Sequence, residues 1–444
     1  MYYKYRLQKK QVSTDNGETW YDVSPLETRL GDVVGTYNTY SDCMSGSPEP
    51  PTPPTPPTPS SGYSTQYLTF DIMSSGTINW KSSGLTRTIS YSKDSGSTWT
   101  SITSTASGTS FNVSAGEKVW FKGNNGVYAT DGVTCSLFSG STAYFNVYGN
   151  IMSLISGDTF ENATGFTGYF TFNNLFRSTE VINAENLILP ATATNYCYQN
   201  MFRGCSNLIT APELPATTLA EGCYRDMFSY CTSLTVAPQL SATALASYCC
   251  YNMFAGCTSL TTAPSLPATT MADYCYNYMF SGCTSLTTAP ALPATTLANS
   301  CYAYMFDYCS NLTSPPVLSA TTMVNRCYHY MFRGCTSLTM APELPATTLA
   351  QYCYYGMFSR CTSLTTAPVL SATTLTDYCY GSMFWHSSSL NYVKCLATDI
   401  SATNCTDNWL NGVAASGTFV KPSSMTDWTT GYNGIPNNWT VQDA

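Results

Sequence analysis

Charged residues and histidine are scarce in this sequence of 444 residues. Asp, Glu, Lys and Arg make up only 10% of it, and it has two histidines, whereas roughly a quarter of an ordinary globular protein is charged. The 26 acidic residues outnumber the 18 Lys and Arg, which gives a net charge of −8. Because no positive excess is available to neutralise phosphates, we expect no nucleic-acid partner.

Long apolar segments are also lacking. No segment approaches the roughly 18 consecutive apolar residues that a membrane helix needs, so we expect no membrane insertion. The opening MYYKYRLQKK is not followed by the apolar core of a secretory signal. As written, the sequence therefore favours one of two explanations: either its N-terminus has been shortened, or the protein is released by lysis.

Motifs that carry catalysis or bind metals are missing from the sequence. There is no glycine-rich phosphate loop and no CxxC pair, and His329 and His386 stand apart from any Ser or Cys with an orienting carboxylate. We therefore predict no enzyme activity, no catalytic residues, no metal and no cofactor. A surface-glycan hydrolase stays an alternative, since the carboxylates of glycosidases come together only in the folded chain.

The chain is predicted to be multidomain, with a stiff linker near its start. Residues 46–62 contain SPEPPTPPTPPTPSS, in which proline favours an extended polyproline II stalk. Residues 1–45 alternate polar with β-branched and aromatic residues and are interpreted as a small β attachment module. Residues 63–156 alternate apolar and polar residues between Gly, Ser and Asn clusters, which predicts an immunoglobulin-like β-sandwich.

One short motif occurs twice, at 13–20 and 92–99, with the form S-x-D-x-G-x-T-W. It resembles the Asp-box of sialidases. Asp and Gly favour a tight turn and Trp packs against it, so we interpret both copies as hairpin turns rather than as parts of a sialidase site.

The second half of the chain is built from a 26-residue repeat. Met-Phe recurs at 201, 227, 253, 279, 305, 331, 357 and 383. Units of this length bury a core only by stacking on one another. We therefore predict an α/β leucine-rich-repeat solenoid with its N-terminal cap over residues 157–394, followed by a C-terminal cap at 395–444.

Each repeat is predicted to hold one short strand and one helix. The segment Thr-Ser-Leu-Thr-x-Ala-Pro suits the strand, and Thr-Thr before Leu-Ala suits the N-cap of a helix that runs to Gly-Cys. With the first cysteine of each unit as position 0, positions 0, +1, +4, +5 and +8 share one helical face. The predicted structural core accordingly includes Cys223, Met227, Phe228, Cys231, Cys275, Met279, Phe280 and Cys283.

The opposite face of the predicted helix, at positions −2, −1, +2, +3, +6 and +7, varies between copies and is rich in Tyr, Asn and Arg. These residue types are typical of antibody-like binding surfaces, although exposed positions also vary without any role in binding. The candidate ligand-binding residues on this face are Tyr196, Arg203, Arg225, Tyr230, Tyr251, Tyr278, Tyr304, Tyr308, Arg326, His329, Tyr330, Tyr355 and Trp385.

The 20 cysteines mostly follow the repeat, at positions 0 and +8. Buried thiols behave as small apolar groups, and we favour a ladder of reduced cysteines. Disulfides remain an alternative, whereas zinc is disfavoured by the spacing and by the shortage of histidine.

The pattern M-F-x-G-C-T-S-L-T-x-A-P-x-L-P-A-T-T-L-A resembles that of BspA-type leucine-rich repeats. The resemblance covers roughly residues 170–395, and this chain departs from it by a longer unit and a second cysteine. It implies a surface or secreted protein involved in adhesion. The arrangement of stalk, β-domain and repeats is also similar to that of proteins of gut bacteria and their tailed phages.

Two functions follow as hypotheses. The first is a non-enzymatic phage tail or head fibre that is located in the virion and contacts a host-surface glycan or protein. In this hypothesis residues 1–45 contact other virion proteins, and the fibre is expected to be a homotrimer. The second is a bacterial cell-surface adhesin of the same repeat family.

Overall fold

The computed structural model describes residues 11–12, 21–22 and 63–444. Strands β1 (Gln11–Val12) and β2 (Tyr21–Asp22) form an antiparallel pair. The rest of the predicted attachment module, the predicted stalk and the first copy of the S-x-D-x-G-x-T-W motif lie outside the described residues. Residues 63–444 belong to one compact unit.

Two sheets make up the first part of that unit. One sheet has the strand order β11-β10-β3-β8-β5-β6, with β12 also paired to β10, and the other has the order β7-β4-β9. The bounds are β3 (Leu68–Ile72), β4 (Gly76–Ser83), β5 (Thr88–Ser92), β6 (Thr100–Thr103), β7 (Thr109–Val113), β8 (Lys118–Gly123), β9 (Cys135–Phe138), β10 (Phe145–Asn150), β11 (Val181–Asn183) and β12 (Leu187–Ile188).

Aromatic residues from both sheets fill the space between them. Phe70 and Phe121 on one sheet lie 4.8 and 5.1 Å, between ring centroids, from Phe138 on the other. Trp80 is fully buried beside them. The two sheets therefore pack face to face around an aromatic core, while the immunoglobulin-like assignment stays a prediction.

The second copy of the S-x-D-x-G-x-T-W motif forms the turn between β5 and β6. Asp94 accepts hydrogen bonds from the Thr98 backbone N–H at 2.8 Å and from the Thr98 hydroxyl at 2.6 Å. These bonds lower the pKa of Asp94 to about 2. Gly96 has φ +87°, a conformation that glycine adopts without strain. The motif therefore stabilises the turn of this hairpin through hydrogen bonds between its own residues.

The core of the two sheets continues into the first repeats. Strand β10 pairs in parallel with β11 and β12, which follow helix α1 (Ser153–Ser156) and a 3-10 helix (Gly157–Asn162). Phe138 stacks on Phe176, and Phe176 stacks on Phe202 at 5.2 Å. One continuous hydrophobic core therefore runs from the sheets into the repeat stack, by which we mean residues 170–411.

The predicted helix of each repeat is not formed. Among the residues that the structure describes, the only α-helix is α1, and positions −1 to +8 of each repeat form consecutive turns instead. We call this segment, residues 274–283 in the repeat of Cys275, the turn ribbon. The α/β description of the repeats is thus corrected to a structure of turns and parallel bridges.

The turn ribbon alternates two kinds of backbone hydrogen bond. The N–H groups of Tyr276, Tyr278 and Phe280 donate to carbonyls of the next repeat at 2.9–3.0 Å, whereas those of Asn277 and Met279 donate three residues back at 3.2–3.3 Å. An α-helix would satisfy all of them four residues back. Since every second donor is used by the next repeat, stacking replaces the helix.

Every fourth residue of the turn ribbon has positive φ. In this repeat these are Tyr274 and Tyr278, both at +57°, and Gly282 at +73°. Positive φ at the third residue of a turn is the mark of a type II turn. Positions −1, +3 and +7 are therefore left-handed, and glycine takes the +7 position in several copies.

The predicted strand is reduced to isolated parallel bridges between residues 26 positions apart. Val236 pairs with Thr262 in the segment predicted as strand, and Thr270 pairs with Thr296 in the segment predicted as helix cap. Proline has no N–H to donate, and the Ala-Pro and Leu-Pro of each unit interrupt any longer ladder.

The interior of the repeat stack is a set of side-chain ladders. Position +5 forms a column of stacked phenylalanines, with Phe254, Phe280 and Phe306 separated by 5.8 and 5.7 Å. The residues of the predicted structural core, from Cys223 to Cys283, are all fully buried. At the C-terminal end, Trp409 stacks on Trp428, and the parallel strands β13 (Tyr392–Lys394), β14 (Thr418–Lys421) and β15 (Thr440–Asp443) follow the last repeat.

Candidate functional site

The candidate site is the outer face of the repeat stack, formed by positions −1, +2, +3, +6 and +7 of the turn ribbons. The alternating turns hold the side chains of neighbouring repeats in columns, because each ribbon is hydrogen-bonded to the next. Tyr230 and Tyr308 are 54% and 45% exposed. Arg326 is exposed, and the other candidate residues are half-buried: Tyr196, Arg203, Arg225, Tyr251, Tyr278, Tyr304, His329, Tyr330, Tyr355 and Trp385.

Five of the candidate tyrosines form a continuous aromatic strip across the middle of the outer face. Tyr251 lies 6.1 Å from Tyr278, which stacks on Tyr304 at 4.3 Å. Tyr304 stacks on Tyr330 at 5.2 Å, and Tyr330 meets Tyr355 edge to face at 5.4 Å. Ring contacts of this kind hold the side chains in place, so the strip is a preformed surface.

The remaining candidates fall into separate groups. Arg203 lies over the ring of Tyr230 at 5.8 Å near the N-terminal end of the stack. Trp385, at the other end, lies under Arg360 at 4.9 Å. Tyr196 donates a hydrogen bond to Glu221 at 2.5 Å, which occupies its hydroxyl within the protein.

Four tyrosines outside the candidate set border the strip at position −1. Tyr248 stacks on Tyr274 at 4.8 Å, and Tyr352 stacks on Tyr378 at 4.6 Å. Their regular spacing of 26 residues was a signal for this column in the sequence. The column is broken between Tyr274 and Tyr352, where the chain carries Ser300 and Arg326.

The arginines of the outer face differ in how far their charge is neutralised. Arg333 forms a two-pronged ion pair with the buried Asp307 at 2.7 and 2.6 Å and lies over three tyrosine rings. Arg225 contacts Asp226 at 3.5 Å. Arg326 takes part in no ion pair with any residue the structure describes and lies over Tyr352 at 4.9 Å.

His329 sits inside the aromatic strip as a neutral ring. Burial, with the nearby charges of Arg326 and Arg333, lowers its pKa from 6.5 to about 4. Its ring lies 5.3 Å from that of Tyr355 and meets Tyr304 edge to face at 5.1 Å. At neutral pH it therefore offers a nitrogen acceptor and an N–H donor without charge.

A groove of about 480 Å³ opens in the middle of the outer face. Asn277, Ser300 and Ala303 are buried at its base, each less than 5% exposed. Its rim combines tyrosines with two arginines and a histidine: Tyr248, Tyr251, Tyr274, Tyr278, Tyr304, Arg225, Arg326 and His329. Sequence reasoning missed Ser300 and Ala303, although two small residues in columns of larger ones were the available signal.

The cysteine ladders lie beneath this face. The nineteen cysteines that the structure describes are free and buried, and burial raises the pKa of Cys283 well above its usual value. At position +8 each thiol donates to a phenylalanine carbonyl of the preceding repeat, as Cys283 does to Phe254 at 3.2 Å. No three His, Cys, Asp or Glu residues within the described part of the chain are grouped so as to hold a metal.

Comparison with known families decides what kind of repeat this is. The profile of the BspA type leucine rich repeat region matches six copies over residues 172–286 and 249–391. Residues 172–391 are therefore BspA-type leucine-rich repeats. BspA-type repeats generally occur in non-enzymatic repeat or adhesin proteins, which are often surface-exposed.

Comparisons with curated proteins and with solved structures find no match. Within the described residues, no helix of this protein is long and apolar enough to cross a membrane.

Proposed function

We propose that this protein is a non-enzymatic adhesin that binds a cell-surface ligand through the outer face of its repeat stack. The observation that carries the proposal is the continuous strip from Tyr251 to Tyr355. Tyrosine offers a large contact area at a low cost in side-chain entropy, and these rings are already ordered by stacking on one another. A ligand would therefore meet a surface that needs little further ordering.

In its more specific form, the proposal is a phage tail or head fibre that contacts its host through this face. Free buried thiols suit a protein that folds in a reducing compartment, such as the cytoplasm in which virion proteins are made. The described cysteines are of this type, which supports the virion form. A bacterial cell-surface adhesin with the same repeats is the alternative.

The binding face is tested by replacing Tyr278, Tyr304 and Tyr330 with serine. Serine is chosen because the chain already carries it at the same left-handed position as Ser382, with φ +52°. We expect the triple variant to fold and to lose at least tenfold in adhesion to target cells, because the centre of the strip is removed.

The matched control replaces three exposed side chains outside the outer face, Val236, Val317 and Met340, which are 52%, 78% and 73% exposed, with alanine. This control should adhere like the wild type. Equal adhesion by the tyrosine variant and the control would contradict the proposal.

The two forms of the proposal are separated by location. Immunogold labelling of a producing culture, fractionated into cells and phage-sized particles, should place gold on particle tails or capsids if the protein is a virion fibre. Gold confined to intact cell surfaces would refute the virion form and support the bacterial adhesin.

A further inference from the structure

The groove on the outer face exists because one repeat lacks the large side chains of its neighbours. At position −1 the chain carries Tyr248 and Tyr274, then Ser300, then Arg326. Rings in this column stack 4.8 Å apart where both are present. Ser300 therefore leaves a gap one ring thick between Tyr274 and Arg326.

Position +2 widens the same gap. Ala303 occupies this position where neighbouring repeats carry Asn277 and His329. The tyrosines at position +3 continue without a break, so Tyr278 and Tyr304, stacked at 4.3 Å, line one side of the opening. The result is a narrow slot within the groove, with tyrosines along its sides and the small residues Ser300 and Ala303 at its base.

The base of the slot contains an unused hydrogen-bond acceptor. The Asn277 side chain is 4% exposed and donates through Nδ2 to the Ser300 carbonyl at 3.1 Å. Its Oδ1 has no hydrogen-bond partner among the residues that the structure describes. A buried acceptor without a donor is costly, and a hydroxyl group of a ligand would satisfy it, whereas a purely apolar ring would not.

The charge of the slot favours an anion. Arg326 at one end has no ion-pair partner among the described residues. Arg225 lies at the other end of the groove, where Asp226 at 3.5 Å offsets part of its charge. The lining contains no Asp or Glu. Arginine pairs well with carboxylates. The groove therefore combines a gap the size of one ring, an acceptor for a ligand hydroxyl at Asn277, and a partner for a ligand carboxylate at Arg326.

We propose that this groove binds an acidic glycan, with one pyranose ring filling the gap left by Ser300 and its carboxylate paired with Arg326. This rests on the proposed adhesive function and names the ligand class. Arg225 and Arg326 are four repeats apart, roughly 19 Å at about 4.8 Å per strand spacing, so the groove takes an oligosaccharide rather than a single sugar. In that gap the ring would face Tyr274 on one side, with the stacked Tyr278 and Tyr304 along the edge of the opening.

The test fills the slot with the residue that the column carries elsewhere. Ser300→Tyr should fold, because Tyr274 and Tyr248 adopt the same left-handed conformation at +57° and +59° while Ser300 is at +53°. Ser300→Ala keeps the slot open and is the matched control. The probes are a panel of oligosaccharides containing uronic or sialic acid and the methyl esters of the same compounds, with affinity measured by calorimetry.

We expect the wild type and Ser300→Ala to bind at least one acidic member of the panel, and Ser300→Tyr to bind it at least tenfold more weakly. Arg326→Gln should remove the preference for the acid over its methyl ester while leaving some binding to both. Absence of binding by the wild type, or equal binding by Ser300→Tyr, would overturn the proposal.

Adhesion measured on the same variants keeps this proposal distinct from the adhesive function. If Ser300→Tyr adheres like the wild type while the triple tyrosine variant does not, the outer face is adhesive but its ligand does not occupy this groove. Loss of adhesion in both supports the glycan proposal.

Discussion

Two cysteines of one repeat should respond differently to replacement by serine. Cys275 and Cys283 are both fully buried. The thiol of Cys283 donates to the Phe254 carbonyl at 3.2 Å, whereas the hydrogen-bond partner of the Cys275 thiol is the Sδ atom of Met271 at 3.7 Å. Burial and residue type are matched, so the available acceptor is what differs.

The chain itself contains the hydroxyl version of the +8 position. Ser387 donates to the Phe358 carbonyl at 2.7 Å. Cys283→Ser should therefore keep its hydrogen bond and cost less than about 1 kcal/mol of the free energy of unfolding. Cys275→Ser buries a hydroxyl without an oxygen acceptor and should cost about 1–3 kcal/mol.

The assay is thermal and urea unfolding under reducing conditions, followed by circular dichroism. Because a destabilisation of 1 kcal/mol lowers the melting temperature by about 2–4 °C in domains of roughly 150–250 residues and by less in a larger unit such as this one, Cys275→Ser should melt about 1–3 °C below Cys283→Ser. Replacing each of the two cysteines with alanine measures how much stability is lost with the side-chain volume alone, and the serine variants are compared with these alanine variants. Equal melting temperatures of the two serine variants would refute the idea that a carbonyl acceptor within reach determines which cysteines tolerate replacement by a hydroxyl.

Two further outcomes concern the core and the strip. Phe280→Ala removes a buried ring between Phe254 and Phe306 and should lower the free energy of unfolding by about 3–5 kcal/mol. Phe280→Asp should unfold the neighbouring repeats, as measured by hydrogen exchange. A wild-type melting temperature in either variant would count against a stabilising role of the phenylalanine column. In the folded protein the pKa of His329 is lowered to about 4. As the pH falls below 6.5, this histidine is therefore protonated in the unfolded chain before it is protonated in the folded protein. The free energy of unfolding should accordingly drop by up to about 3 kcal/mol by pH 4. In the His329→Asn variant that drop should shrink, while the opposite effect of the raised pKa of Asp307 is common to both proteins; identical pH profiles would argue against a neutral buried ring.

The buried positions of the repeat could be read from the sequence, but the backbone that buries them could not. Positions 0, +1, +4, +5 and +8 are buried in the structure, and they match one face of a helix. They match a ribbon of four-residue turns equally well, because over this short segment the 3.6-residue period of a helix and the four-residue period of the ribbon bury the same positions. The spacing alone does not separate the two.

A second signal in the sequence does separate them. Glycine occupies position −1 as Gly222, position +3 as Gly356 and position +7 as Gly204, and all three have positive φ. Glycine at four-residue intervals is expected in a chain of left-handed turns and is unfavourable in a helix interior. Apolar periodicity alone predicts a helix, whereas the spacing of these glycines favours the turns.

The candidate site was predictable only as a face. The variable tyrosines and arginines mark the outer surface in the sequence. The groove depends on what is missing from one repeat, at Ser300 and Ala303, and on an acceptor at Asn277 whose partner is absent. The 26-residue register shows which residues form a column, but the sequence does not show which side chains of neighbouring columns meet.

The constant 26-residue register also has a genetic consequence. Each ribbon binds its neighbours through the same backbone groups and the same ladder residues, so deletion or duplication of one whole unit joins surfaces that already fit. Unequal recombination between repeats would therefore change the length of the outer face and the position of its groove in a single step. Binding specificity can diverge in this lineage through repeat number and order, without new packing solutions in the core.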